Sequence, residues 1–192
     1  MLITDWSIVG MLEKVEAAVR ATKQVAVQHR HPAVTDRQFF EEARALASVC
    51  QKHGAPLFIN RRLDVALALD ANLHLPTHAL RVSDVRPFLG HRLVSVAVHE
   101  LTEVQEGADL ALVSPVFPPK SKPTDTRATL GPQGFFNLAR GLGCPAFALG
   151  GVGLEKAHEL GGAPGLAVVS AVLLARDPGE AARRLVEGSV AA

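Results

Sequence analysis

The sequence predicts a single α/β domain built as a closed (β/α)8 TIM barrel, and three observations carry that prediction. Short apolar runs rich in Val, Ile, Leu and Ala recur eight times along 192 residues. Runs without polar alternation are what strands buried on both faces look like. Each run is followed by a stretch whose apolar residues fall at helical spacing, the pattern of parallel βα units. No linker, low-complexity tract or composition break divides the chain, so eight alternations fit one closed barrel better than an open doubly wound sheet.

Taken in order, the first strand is expected over Leu2 to Thr4, ending at Asp5. The helix after it runs from Val9 to Ala21, with Val9, Leu12, Val15, Ala18 and Val19 on one face. Gln24 to Gln28 is the second strand and His29-Arg30-His31-Pro32 its outgoing loop. Thr35 caps a helix reaching about Lys52 and turning Phe39, Ala43, Leu46 and Ala47 inward, and Gly54 ends it. Pro56 to Ile59 makes the third strand, Asn60-Arg61-Arg62 its loop, and Leu63 to Leu69 the next helix. Asn72 to Leu75 is strand four, closed by Pro76 and followed by a weak helix from Ser83 to Leu89. Strand five spans Leu93 to Val98, and His99-Glu100 opens a helix ending near Gly107. Leu110 to Val113 is strand six, and the helix after its long loop covers Gly131 to Gly141. Pro145 to Leu149 then leads through Gly150-Gly151-Val152-Gly153 into a helix from Leu154 to Leu160. Leu166 to Val169 is strand eight, followed by Ser170 and a last helix containing Ala181 to Val186.

Composition narrows the function. With 48% hydrophobic and 20% charged residues and a net charge of +1, the chain has no basic excess for nucleic acid or an acidic membrane. Five per cent aromatic residues and no Tyr argue against a stacking surface for single strands. Cys50 and Cys144 match no metal or redox spacing. No apolar run approaches the ~18 residues that a membrane span needs, and the N-terminus lacks a signal-peptide pattern. A reduced, cytoplasmic protein without cofactor or metal is the expectation. A homodimer is in keeping with small barrels of this kind, although no exposed apolar stripe assigns an interface.

In a barrel the loops after the strands gather at one face, which is where chemistry is sited. That face collects His29, Arg30, Asn60, Arg61, His74, His99, Lys120, Ser121, Lys122, Gly151 and Ser170. The stretch Leu110 to Gly131 stands out, because its loop carries Lys120, Ser121, Lys122, Asp125, Thr126 and Arg127. Loops of that length are more often functional than idle. Gly150 and Gly151 bare their backbone N–H groups after strand seven, and Val169-Ser170 offers matching donors after strand eight. Barrels often bind phosphate between these two loops.

An ordered set of motifs spans nearly the whole chain. It comprises LITD at Leu2 to Asp5, VQHR at Val27 to Arg30, FIN at Phe58 to Asn60, PVFP at Pro115 to Pro118, SK and DTRA around Ser121 to Ala128, GG at Gly150, and VVSA at Val168 to Ala171. In this order they resemble the thiamine phosphate synthase family. The resemblance implies a TIM barrel holding a thiazole phosphate on Gly150, Gly151, Val169 and Ser170, with Ser121 and Lys122 from the long loop.

Departures from the family pattern are as informative. The synthases hold a pyrimidine pyrophosphate with a Gln-x-Arg-x-Lys segment, of which Gln28 and Arg30 remain while Pro32 replaces the lysine. The Asn-Asp pair after strand three is Asn60-Arg61, and the second magnesium carboxylate falls at Ala79. His74-Leu75-Pro76-Thr77 looks closer to the metal-free thiazole tautomerases, the TenI-like branch. The tautomerase histidine after strand six nevertheless corresponds to Pro115. The leading expectation is therefore a metal-independent, tautomerase-like isomerase whose proton is moved by one of His99, His74 or His29, all at strand ends, with His99 favoured and His74 next. A thiamine phosphate synthase with replaced metal ligands and a non-catalytic phosphate-binding barrel are the alternatives.

Overall fold

A computed structural model describes residues 1–118 and 128–190. Eight strands, β1 (Leu2–Ile3), β2 (Val27–His29), β3 (Leu57–Asn60), β4 (Asn72–Leu75), β5 (Val94–Val98), β6 (Leu110–Val113), β7 (Ala146–Leu149) and β8 (Gly165–Ala167), pair parallel in chain order. The ring closes where Leu2 bridges Val168. There the Val168 N–H donates to the Met1 carbonyl and the Ile3 N–H to the Val168 carbonyl, both at 2.9 Å.

Alternation along each strand sorts the side chains into two compartments. Ile3, Phe58, Leu110, Leu112 and Ala167 fill the barrel's interior. Val27, Ile59, Leu73, Val96, Ala111 and Ala148 face outward, where the surrounding helices cover them. Those helices are α1 (Met11–Ala21), α2 (Asp36–His53), α3 (Leu63–Ala68), α4 (Val82–Leu89), α5 (Gly131–Arg140), α6 (Ser170–Leu173) and α7 (Pro178–Val190). Helix α2 starts as expected, with the Thr35 hydroxyl accepting the Gln38 N–H at 3.2 Å. It ends at Gly54, whose φ of 67° satisfies the last carbonyls.

Three expectations fail. Helix α1 begins only after Gly10, which sits at φ 73°, and Val9 is 90% exposed instead of facing the core. The expected helices after β5 and β7 are single 3-10 turns, Leu101–Glu103 and Ala157–Leu160. Between β8 and α7 stands the short helix α6, which the sequence pattern does not announce. No helix among the described residues is long and apolar enough to cross a membrane.

Candidate functional site

The interior turns polar toward the carboxyl ends of the strands. Gln28, Asn60, His74, Ser95 and Ser114 are all buried there. Registers of Asn60 with His74 and of His74 with Ser95 set three of these side by side on adjacent strands, about 4.8 Å apart. Buried polar groups need partners or a ligand, so this ring of polarity marks the mouth as the chemical end of the barrel.

His74 meets the Ser95 hydroxyl through Nδ1 at 2.9 Å. Burial, and then the nearby Arg30 charge, push its pKa down to about 3, so the ring is neutral at ordinary pH. Arg30 follows Gln28 by two residues on β2's interior-facing row, one step beyond the end of the strand. The Arg30 backbone is fixed from the other side, its N–H donating to the Thr4 hydroxyl at 2.9 Å. Arg61 adopts the left-handed region at φ 66°, and its N–H donates to the His74 carbonyl at 2.8 Å. Arg30, Arg61, Asn60 and His74 thus share one quadrant of the rim. Gln28 lies one level below Arg30 on the same strand face. It is 1% exposed, so it lines the floor of the cup.

His99 follows β5, the strand next to that of His74, and reaches the residue after β6. A carbonyl can only accept, so the 2.6 Å contact between Nδ1 and the Ser114 carbonyl makes Nδ1 the protonated nitrogen and leaves the neutral ring's lone pair on Nε2. The His99 N–H donates to Glu103 Oε2 at 2.6 Å, which ties the residue's backbone to the 3-10 turn.

His29, the third histidine expected at the mouth, is not there. It follows Gln28 on the strand and so faces the other way, under α2, and is completely buried. Trp6 Nε1–H donates to its Nδ1 at 3.1 Å, and its Nε2–H therefore donates to the Phe39 carbonyl at 3.2 Å. With both nitrogens engaged and burial lowering its pKa to about 4, His29 is structural.

On the opposite side of the cup the loops after β6 and β7 are zipped together. Val116 N–H donates to the Leu149 carbonyl at 2.8 Å and Phe117 N–H to the Gly150 carbonyl at 2.9 Å. Gly150 and Gly151 take φ of 95° and 62°. A Cβ on Gly151 would lie 2.6 Å from the Pro118 carbonyl oxygen and 2.7 Å from Phe117 Cβ, so only glycine fits. Among the described residues the N–H groups of Gly151, Val152 and Gly153, and those of Ser170 and Ala171 after β8, have no acceptor. These donors lie around Gly150, Gly151, Val169 and Ser170, the residues expected to meet a phosphate, and an anion could accept from them. Lys156, which sequence reasoning missed, lies with Nζ 4.4 Å from the centre of the Phe117 ring. Its proximity to these donors comes from the turn at Gly153, where the Lys156 N–H donates to the Gly153 carbonyl at 3.0 Å. Ser121 and Lys122 lie outside the described residues.

Three comparisons bear on this geometry. A family model described as thiamine monophosphate synthase, TMP-TENI, matches residues 1–172. The chain belongs to the thiamine phosphate synthase family. A thiamine-phosphate synthase of Chloroflexus aurantiacus is 38% identical over 178 residues, covering 89% of this chain and 82% of that protein. The synthase of Albidiferax ferrireducens is also 38% identical, over 194 residues covering 96% and 88%. A thiamine phosphate pyrophosphorylase structure from Pyrococcus furiosus superposes with a TM-score of 0.86 at 28% identity, covering 98% of this chain and 93% of that one. The family is the expected one, whereas nothing in these matches singles out the tautomerase branch, and the relatives' names favour the synthase.

Magnesium does not fit the described residues. Mg²⁺ requires oxygen ligands, and the two family carboxylate positions hold Arg61 and Ala79. Nearby carboxylates are engaged elsewhere. Asp64 is gripped by Arg62 at 2.7 and 3.0 Å, and Asp5 accepts from Ser7 N–H and Oγ–H. Among the described residues no group of three His, Cys, Asp or Glu could hold a metal ion.

Proposed function

We propose that this barrel acts in thiamine biosynthesis as a thiamine phosphate synthase with replaced metal ligands, joining a thiazole phosphate to the pyrimidine half carried as a diphosphate. The observation that carries this reading is the doubling of anion-binding equipment in one cup. Unmet N–H donors at Gly151 and Ser170 serve one phosphate, and Arg30 and Arg61 beside His74 serve another. An isomerase working on one phosphorylated ring needs a single anchor. Two anchors suit two phosphorylated substrates held for in-line attack, where positioning supplies much of the rate.

The test is direct. Purified protein given both thiamine halves should form thiamine phosphate, detectable by chromatography, and product should appear in EDTA as well as with Mg²⁺. Absence of product in both buffers would reject the reading.

A second reading, metal-independent thiazole tautomerisation, is favoured by one observation: His99 follows β5 at the rim, its ring held through Nδ1 on the Ser114 carbonyl at 2.6 Å. Under this reading the non-aromatic thiazole phosphate aromatises faster than in buffer, and His99→Ala slows it about 100-fold or more. Equal rates for His99→Ala and the parent would remove His99 from that role.

A further inference from the structure

Around the β2 and β3 ends the chain handles its arginines in two ways. Arg62 is fully committed: it pairs with Asp36 at 2.5 Å and Asp64 at 2.7 Å and lies over the Phe39 ring at 5.7 Å. Arg30 and Arg61 pair with no carboxylate among the described residues. A cation without a carboxylate partner among the described residues, where its sequence neighbour takes two aspartates, suits an anion from outside. Both are anchored through the backbone beside the buried His74, by the Arg30 N–H on Thr4 and the Arg61 N–H on the His74 carbonyl. Arg61 keeps a left-handed φ of 66°, a conformation that costs a non-glycine residue about 1 kcal/mol. Flanking turns hold it there: Arg62 N–H donates to the Asn60 carbonyl at 2.9 Å and Leu63 N–H to the Arg61 carbonyl at 3.2 Å. The buried Asn60, which precedes Arg61 and is level with His74, adds a neutral amide donor.

Arginine presents its N–H groups in a planar fork that matches two oxygens of a phosphate at once. It cannot ligate a cation, and its charge opposes one nearby. We infer that this side of the cup takes a diphosphate directly on Arg30 and Arg61, with Asn60 as a further donor and no divalent cation bridging it. The inference rests on the synthase reading for its biological substrate and extends it by making the diphosphate half-site independent of metal.

The sign of the Mg²⁺ effect tests it. A site built from carboxylates binds pyrophosphate more tightly when Mg²⁺ is added. A site built from guanidinium groups binds it in EDTA, and Mg²⁺ leaves binding unchanged or weakens it by lowering the ligand's charge. Calorimetric titration with inorganic pyrophosphate in EDTA should show binding to the intact protein. Arg61→Ala and Arg30→Ala should each weaken it about tenfold or more, as expected for loss of a charge-assisted hydrogen bond. Arg44→Ala, on the exposed face of α2, should leave it unchanged, and circular dichroism confirms that each variant is folded. Binding only with Mg²⁺, no binding in either buffer, or unaltered binding by both mouth variants overturns the inference. Mg²⁺-dependent pyrophosphate binding together with Mg²⁺-dependent product would sink this inference and leave the synthase reading standing. Cation-free binding without product would do the reverse.

Discussion

Two buried histidines give the protein a pH dependence whose direction follows from their surroundings. His29 and His74 have pKa values lowered to about 4 and about 3, while in the unfolded chain each returns to about 6.5. Above that value both states are neutral and no stability is at stake. As pH falls below it, the unfolded chain takes up protons that the folded protein refuses, so stability drops. The drop is about 1.4 kcal/mol per pH unit for each histidine, continuing down toward pH 4. Urea unfolding midpoints between pH 7.5 and 4.5 should record this slope. His74→Asn should remove about half of the histidine share, and identical slopes in parent and variant would count against it. Residue identities at the mouth were legible in the sequence, because strand ends were. Which way each points was harder: Gln28, His29 and Arg30 are consecutive, and a strand's period of two sends His29 alone to the outer face. Ser95 was overlooked as one polar residue in the apolar run Val94–Val98. It shows its purpose only once the register sets it opposite His74.

At the scale of elements, the strands were read well and two connections poorly. Residues 101–107 have helical spacing, but their apolar members Leu101 and Val104 are 56% and 37% exposed. Helices in proteins are stabilised mainly by burying one face, and without that a short segment stops after a single turn. The segment before Leu160 buries only Ala157 and Leu160 and ends at Gly161, so it stops short for the same reason. The zipped loops after β6 and β7 are the element on which the proposed phosphate binding would depend. Gly151→Ala should therefore harm both stability and binding, since its Cβ would overlap the Pro118 carbonyl and the backbone is already at positive φ. A cost of about 1–3 kcal/mol is expected, with thiazole phosphate affinity falling about tenfold. Gly153→Ala is the control, because nothing lies within 4 Å of its added carbon. Thermal unfolding and calorimetric titration of the two variants would separate them, and equal behaviour would show that the close approach at Gly151 is unimportant.

Over the whole molecule, the barrel has one seam of a different character from its other joints. Strand β1 is two residues long, and its link to β8 is an isolated bridge carrying the hydrogen bonds of Ile3 and Val168. Six other strand pairs share longer ladders, from three registered positions between β2 and β3 to four between β5 and β6. Closure at this seam must therefore draw on the layer outside it, where α1 and α7 pack against one another. Gly179 lets them meet: a Cβ there would lie 3.0 Å from the Ala17 carbonyl oxygen and 3.3 Å from Ala21 Cβ. Gly179→Val should force α7 away from α1 and cost about 1–3 kcal/mol, despite removing a glycine from a helix. Gly188→Ala, nine residues along the same helix, meets only Ala157 Cβ at an ordinary 3.7 Å. It should gain about 0.5–1 kcal/mol from helix propensity alone. Opposite shifts in urea midpoint are thus expected from two glycine substitutions in one helix. In Gly179→Val, the amides of Ile3 and Val168 should also exchange with solvent faster than those of β5 and β6, because loosening the outer layer opens the weakest joint first. Uniformly accelerated exchange around the ring would instead mean that the seam is as strong as any other strand pair.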